Sequence, residues 1–203
     1  MKRYLFFILC FSGTPFVNAQ VFHGGLMGGI GVAEISGDQV WGPNKPGIYI
    51  GSFINTGWDK RSTFQFEMAY IQKGSLKSPN PNTGDYDTYK LKLNYVELLA
   101  NYRYKYKPRI MFEGGLSLGF LIKHTEELNG LDIEDDRKWS PVDFCGNIGI
   151  LFILSDKLHL NCRYSNSLIR VRPHKSGQVY RLNRGEYNEV LSFTVMYVIR
   201  AFK

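Results

Sequence analysis

From Ile110 to Ile122 the side chains alternate in character. Ile110, Phe112, Leu116, Leu118, Phe120 and Ile122 hold the even positions, interrupted by Gly114. Glu113, Gly115, Ser117 and Gly119 lie between them, with Met111 and Leu121 less polar. A strand turns successive side chains to opposite faces, so one face is wholly apolar while the other carries a carboxylate and small residues. At about 13 residues the segment exceeds the roughly 5–6 usual for soluble strands and is long enough to cross a bilayer at a tilt.

Seven further segments carry the same period. The first, near 22–33, points Leu26, Ile30 and Val32 outward, and the second, near 47–56, points Ile48, Ile50 and Ile54. The third, about 62–73, sets Phe64, Phe66, Met68 and Tyr70 against Gln65, Glu67 and Ala69. The fourth, about 89–104, sends Val96, Leu98, Ala100, Tyr102 and Tyr104 out and Glu97, Asn101 and Arg103 in. Its first half (Lys90, Lys92, Asn94) departs from this phase, through a bulge or because that half stands above the membrane. The fifth is the segment described first. The sixth, about 142–153, sends Val142, Phe144, Ile148, Ile150 and Phe152 out and Asp143, Cys145, Asn147 and Gly149 in. The seventh, about 158–168, sets Leu158, Leu160, Cys162 and Tyr164 against His159, Asn161, Arg163 and Ser165. The eighth, about 187–202, has Leu191, Phe193, Val195, Tyr197 and Ile199 on one face.

The links near 57–61, 105–109 and 154–157 are short, and those near 34–46, 74–88, 123–141 and 169–186 are long. Short turns on one rim and long loops on the other are the asymmetry of an outer-membrane barrel. Open sheet edges would leave amides unpaired in hydrocarbon, so the sheet must close. The predicted fold is all-β: an eight-stranded antiparallel transmembrane up-and-down β-barrel. Its lumen is filled by a structural polar network of Glu67, Glu97, Asn101, Arg103, Glu113, Asp143, Asn147, Asn161 and Arg163. Pairing through the short turns is expected to set Asn101 near Glu113 with Arg103 diagonal, and Asn147 near Arg163. Trp58, Tyr102, Tyr104, Tyr106 and Phe202 form one expected aromatic girdle, and Tyr70, Tyr89, Tyr164 and Tyr187 the other.

The N-terminus changes the picture. Lys2 and Arg3 precede a largely apolar run from Tyr4 to Phe16, and Val17-Asn18-Ala19 resembles a signal-peptidase site. Residues 1–19 read as a signal peptide and 20–203 as one barrel domain. Losing Lys2 and Arg3 lowers the formal net charge from +7 to +5, too mild and scattered to argue for nucleic acid. Abundant glycine (21) and tyrosine (13) fit a barrel with a polar interior better than a helical membrane protein. Cys145 and Cys162 fall on consecutive strands at opposite phases, so they are expected as free thiols.

The order of features resembles the PorT-like outer-membrane β-barrel family. The resembling pieces are Gly37-Asp38, Asn44-Lys45-Pro46-Gly47-Ile48, and Phe66-Glu67 with Tyr70-Ile71-Gln72-Lys73-Gly74-Ser75. Leu93-Asn94-Tyr95-Val96-Glu97-Leu98 and Glu113-Gly114-Gly115 with Gly119 complete the set. The resemblance implies an eight-stranded barrel in the outer membrane of a Gram-negative bacterium. Its founding member belongs to a protein-secretion and gliding apparatus, and it implies no catalytic residues.

Several chemistries compete for the loops. His124, with Glu126, Glu127 and Ser140, could suggest a lipid A-modifying enzyme, but nothing places a base within reach of the hydroxyl, so His124 reads as an exposed loop residue. Glu126, Glu127, Asp132, Glu134, Asp135 and Asp136 cluster without calcium-loop spacing. The last long loop carries Arg170, Arg172, His174, Lys175, Arg181 and Arg184. Of these, Arg170, Arg172, Lys175, Arg181 and Arg184 are the candidate contacts, to the opposed acidic loop as a clasp or to lipid phosphates. A channel conflicts with so small a filled lumen, and a soluble lipocalin-like carrier conflicts with charged groups inside. The expected protein is a monomeric, non-enzymatic structural or interaction module of the envelope. It needs no cofactor or metal, and its partners are outer-membrane lipids including lipopolysaccharide and envelope or secretion-system proteins.

Overall fold

The computed structural model describes residues 22–38, 44–57, 59–133, 136–174 and 185–202, with the side chains of 83 and 200–202 outside the description. Residues 1–19, expected as a signal peptide, and Trp58 lie outside the described residues, and so does the side chain of Phe202.

Eight long strands form: β1 (Phe22–Ser36), β2 (Lys45–Gly57), β3 (Ser62–Lys77), β4 (Tyr89–Lys107), β5 (Ile110–Leu128), β7 (Val142–Ile153), β8 (Leu158–Ser167) and β9 (Tyr187–Phe202). A two-residue β6 (Leu131–Asp132) folds back on the end of β5. The strands pair antiparallel in the order β4-β3-β2-β1-β9-β8-β7-β5, and pairing of β4 with β5 closes the cylinder. No edge of the long-strand sheet faces hydrocarbon, which is the condition a spanning sheet must meet.

The alternation sorts as expected. Ile148 is 64% exposed on the outside and Leu98 49%, whereas Glu67 is 4% exposed and Asp143 0%. Rows of Leu26, Ile30, Ile50, Phe66, Met68, Leu116 and Phe193 share the outer face. Inward positions are not all polar. Ile35, Ile71, Leu91, Leu93, Tyr95 and Val190 are buried in an apolar cluster, so the interior is a packed mixture.

The fourth strand departs from expectation in a specific way. β3 and β4 pair without a break from Ser62↔Tyr104 to Lys77↔Tyr89, so the phase persists throughout. Leu91 and Leu93 point in and are buried, while Lys90, Lys92 and Asn94 keep the outward parity. It is polarity that changes there, not direction. β4 and β5 are each 19 residues, well beyond the roughly 9–11 a bilayer requires. Their outer ends therefore stand above the membrane. A one-residue irregularity against β5, between Asn94 and Tyr95, marks the transition.

The fifth strand runs to Leu128, so Glu126 and Glu127 are strand residues rather than loop residues. Asn129 (φ 51°) and Gly130 (φ 79°) then make the two-residue turn into β6, both in the left-handed region such a hairpin demands. Tyr102, Tyr104 and Tyr106 are exposed at the short-turn rim as expected, with Tyr106 ring-packed on Phe112 and Tyr102 on Phe64. The outer girdle is thinner than expected. Tyr187 is buried, and Tyr89 donates its hydroxyl to Glu126 (2.7 Å).

Candidate functional site

The lumen holds two charged layers. In the layer nearer the short turns, Arg103 on β4 faces Glu113 on β5 directly across the ladder. Its Nε donates to Glu113 Oε2 (2.9 Å) and Nη1 to Gln65 Oε1. Arg163 on β8 donates Nε to Glu113 Oε1 (2.7 Å) and Nη1 to Tyr49 Oη (3.1 Å). Its Nη1 and Nη2 also grip both oxygens of Glu67 on β3. Asn101 and Asn161 add amide donors to Glu67 (3.1 Å) and Glu113 (2.8 Å). Two guanidinium groups thus meet two carboxylates, and their remaining donors and lone pairs are taken up by amides and a phenol. Buried ions persist only under that condition. The strand wall thins to admit the pair: a Cβ on Gly149 would lie 2.7 Å from both Glu113 Oε1 and the Cys162 carbonyl.

In the outer layer, Lys73 Nζ lies 2.5 Å from Glu97 and 2.9 Å from Asp143. Asp143 also accepts from Ser167 Oγ (2.7 Å) and Asn188 Nδ2 (2.7 Å). Glu97, Asp143 and Cys145 bring potential metal-ligand atoms within 4.8 Å of one another. The Lys73 ammonium occupies that donor set, 3.5 Å from the Cys145 sulfur as well, so the cluster is built around an organic cation. Lys73, Tyr49, Ser167 and Asn188 were not among the expected network. Lys73 shares the odd, inward parity of Gln65, Glu67, Ala69 and Ile71, which was the signal available for it.

Eight of the nine expected network residues join these layers, and two pairings differ from expectation. Arg103, not Asn101, stands opposite Glu113, while Asn101 faces Gly115. Asn147 faces Ser165, and Arg163 faces Gly149. Asn147 is buried, yet its amide makes no hydrogen bond among the described residues. Cys145 and Cys162 are free thiols, Cys145 buried and Cys162 partly so.

Above the lumen, Arg172 ties the mouth together. Its Nε meets Glu186 (2.8 Å) and its Nη1 meets Glu126 at the outer end of β5 (2.8 Å). The guanidinium stacks 3.9 Å from the centroid of Trp139. Arg137 reaches the other oxygen of Glu186 (2.8 Å) and the Pro173 carbonyl (2.9 Å). Burial disfavours the Arg172 charge, but Glu186 and Glu126 outweigh it and raise its pKa above the ordinary arginine value. Arg172 of the last long loop thus meets Glu126 of β5, a strand residue and not one of an opposed loop, and Arg172 is committed inward rather than offered to lipid. Arg170 is exposed; Lys175, Arg181 and Arg184 lie outside the described residues.

The residues weighed for catalysis do not assemble. Ser140 donates its hydroxyl to the Val142 carbonyl (2.6 Å), and Glu126 is held by Arg172 and Tyr89. The His124 side chain, on β5, is exposed and has no hydrogen-bond partner among the described residues. Of the acidic cluster, Glu127 lies 3.6 Å from Lys90, Asp132 and Asp136 are exposed, and Glu134 and Asp135 lie outside the description.

Comparison with known proteins agrees with this architecture. The family model described as outer membrane protein beta-barrel domain matches residues 15–171. The attachment invasion locus protein Ail of Yersinia pestis superposes with a TM-score of 0.53 at 10% identity, covering 87% of this chain and 98% of Ail. Neisserial surface protein A (NspA) gives 0.53 at 13% identity, covering 87% and 96%. At these identities the likeness is one of fold. No curated protein matches the sequence.

Proposed function

The chain belongs to the outer membrane protein beta-barrel domain family, and we propose that it is a non-enzymatic, non-conducting module whose outer face engages other components of the envelope. The observation that carries this reading is the filled interior: charged layers around Arg163 and Lys73, with the Arg172 clasp above them, are all buried. Side chains so occupied are poor candidates for turnover or for lining a water column. What remains available is the protruding rim made by β3, β4, β5 and the loops that Arg172 joins.

Export through a cleaved signal peptide ending at Ala19 belongs to this proposal, and N-terminal sequencing of the mature protein tests it. The PorT-like resemblance makes a protein-secretion apparatus the first partner class to examine. Photo-crosslinkers placed at Tyr86 and Leu131, both exposed above the membrane, would be activated in intact cells. Recovery of specific envelope neighbours supports the reading. Crosslinking to nothing but bulk lipid and abundant porins at every rim position would overturn it.

A further inference from the structure

The outer end of β5 has a gap beside it. β7 pairs with β5 only from Ile110 to Phe120, and beyond that point Ile133 and residues 136–141 lie nearby. Two backbone hydrogen bonds hold them to β5, Leu121 N to Pro141 O (2.9 Å) and Ile133 N to Glu126 O (2.9 Å). Ile133, Arg137, Lys138, Trp139 and Pro141 border, with the end of β5, an open cavity of about 480 Å³. Leu121, Ile122, Ile133, Trp139 and Pro141 supply its apolar walls, and Lys123, His124, Glu126, Arg137 and Lys138 its polar ones.

Among the described residues that line this cavity, cationic side chains outnumber carboxylates. Glu126 is neutralised by Arg172, and Arg137 is held by Glu186. The side chains of Lys123, His124 and Lys138 have neither a hydrogen bond nor an ion pair among the described residues. Unpaired lysines beside a concave, partly apolar wall favour an anion. The apolar side continues onto the membrane surface, because Ile122 is 60% exposed and Phe120 and Val142 lie below it on the outer face. A ligand there would have phosphate beside Lys123 and Lys138 and hydrocarbon along Ile122 and Phe120. That is the layout of an anionic amphiphile at the bilayer boundary.

We propose that the cavity which the end of β5 forms with Ile133 and residues 137–141 binds the phosphorylated headgroup of an outer-leaflet lipid, of the kind lipopolysaccharide carries. This rests on the outer-face reading above and names lipid as one component that face engages. Arg170 and the rest of the last loop, expected from sequence as the lipid contacts, are not needed for it.

The test uses the full mature chain folded in detergent micelles, with binding measured by titration calorimetry. The probes are diphosphoryl lipid A, the same lipid with its phosphates removed, and glucosamine 6-phosphate without acyl chains. The diphosphoryl lipid should bind at least about tenfold more tightly than either comparator, a difference of about 1.4 kcal/mol. The Lys123→Gln/Lys138→Gln double variant should lose about tenfold or more for that lipid with an unchanged melting temperature. Lys60→Gln, at the opposite rim, should bind as the parent does. Equal binding of phosphorylated and dephosphorylated lipid overturns the proposal, and so does unchanged binding by the double variant. Equal binding of the soluble sugar phosphate overturns the lipid assignment in favour of a free anion. Any of these failures leaves the crosslinking result for the outer face standing.

Discussion

Arg163 on β8 and Glu67 on β3 join opposite walls of the barrel, with Nη2 2.6 Å from Oε1 and Nη1 2.8 Å from Oε2. The two strands are not neighbours in the sheet, so the pair braces the cylinder across its width. Removing one partner strands a buried charge. Arg163→Met is expected to cost about 3–5 kcal/mol, measured by urea unfolding in vesicles. Arg163→Met combined with Glu67→Met leaves Arg103 and Glu113 as a neutral pair and should recover most of that loss. A double variant as unstable as the single one would show that the pair itself, not the orphaned charge, dominates.

Leu118 faces the membrane opposite Leu98 and Phe144. Leu118→Arg should destabilise the folded barrel by about 2–4 kcal/mol if it meets the bilayer midplane. Refolding into liposomes reads this directly, and an unchanged folding free energy would contradict the assigned facing.

The Arg172 clasp holds loops rather than wall. Arg172→Met removes two ion pairs and the stack on Trp139, leaving Glu126 and Glu186 without that partner. Limited proteolysis should then cut within 129–141 or 168–186 at least about tenfold faster, because local opening tracks local stability. The heat-modifiable gel mobility of the barrel should be unchanged. Loss of the folded band would mean that the mouth, not the wall, limits stability.

Asp59 organises the β2–β3 turn. Its Oδ1 accepts the backbone N–H of Arg61 (2.5 Å) and Ser62 (2.7 Å). These bonds favour the carboxylate and lower its pKa from the ordinary 3.8. A depressed folded-state value means the stabilisation is present above pH 3.8 and is lost as pH falls through the lower folded value. The parent's melting temperature should therefore drop more steeply below pH 3.8 than that of Asp59→Asn. Parallel curves would remove Asp59 from the account.

Facing was legible in the sequence, and cross-strand partners were not. The hydrophobic rows at Ile148 or Leu116 state which side meets lipid, because strand period is two. Register depends on turn length, which the same rows do not encode. The β4–β5 strands continue to a two-residue turn at Pro108-Arg109, with an irregularity between Lys105 and Lys107. That slides Arg103, rather than Asn101, opposite Glu113. At β7–β8 the Ser155 hydroxyl accepts the N–H of Leu158 (3.1 Å), and the first pair is Ile153↔His159. Both displacements are by two residues, which preserves the face and changes only the neighbour. Asn129-Gly130 was a readable hairpin signal for β6. The Arg172–Glu126 contact joins the last long loop to the end of β5, and its stack on Trp139 depends on a tertiary approach that no local pattern specifies.

Leu98 and Leu99 are consecutive residues of β4 with opposite fates, 49% and 3% exposed. Methyl NMR of the unmodified protein in lipid nanodiscs, with a lipid-borne nitroxide and separately a water-soluble gadolinium chelate, compares them directly. A sealed, lipid-facing barrel predicts that Leu98 methyls broaden with the lipid-borne agent and that Leu99 methyls respond to neither. Broadening of Leu99 by the aqueous agent, or of Leu98 by the chelate alone, would contradict it.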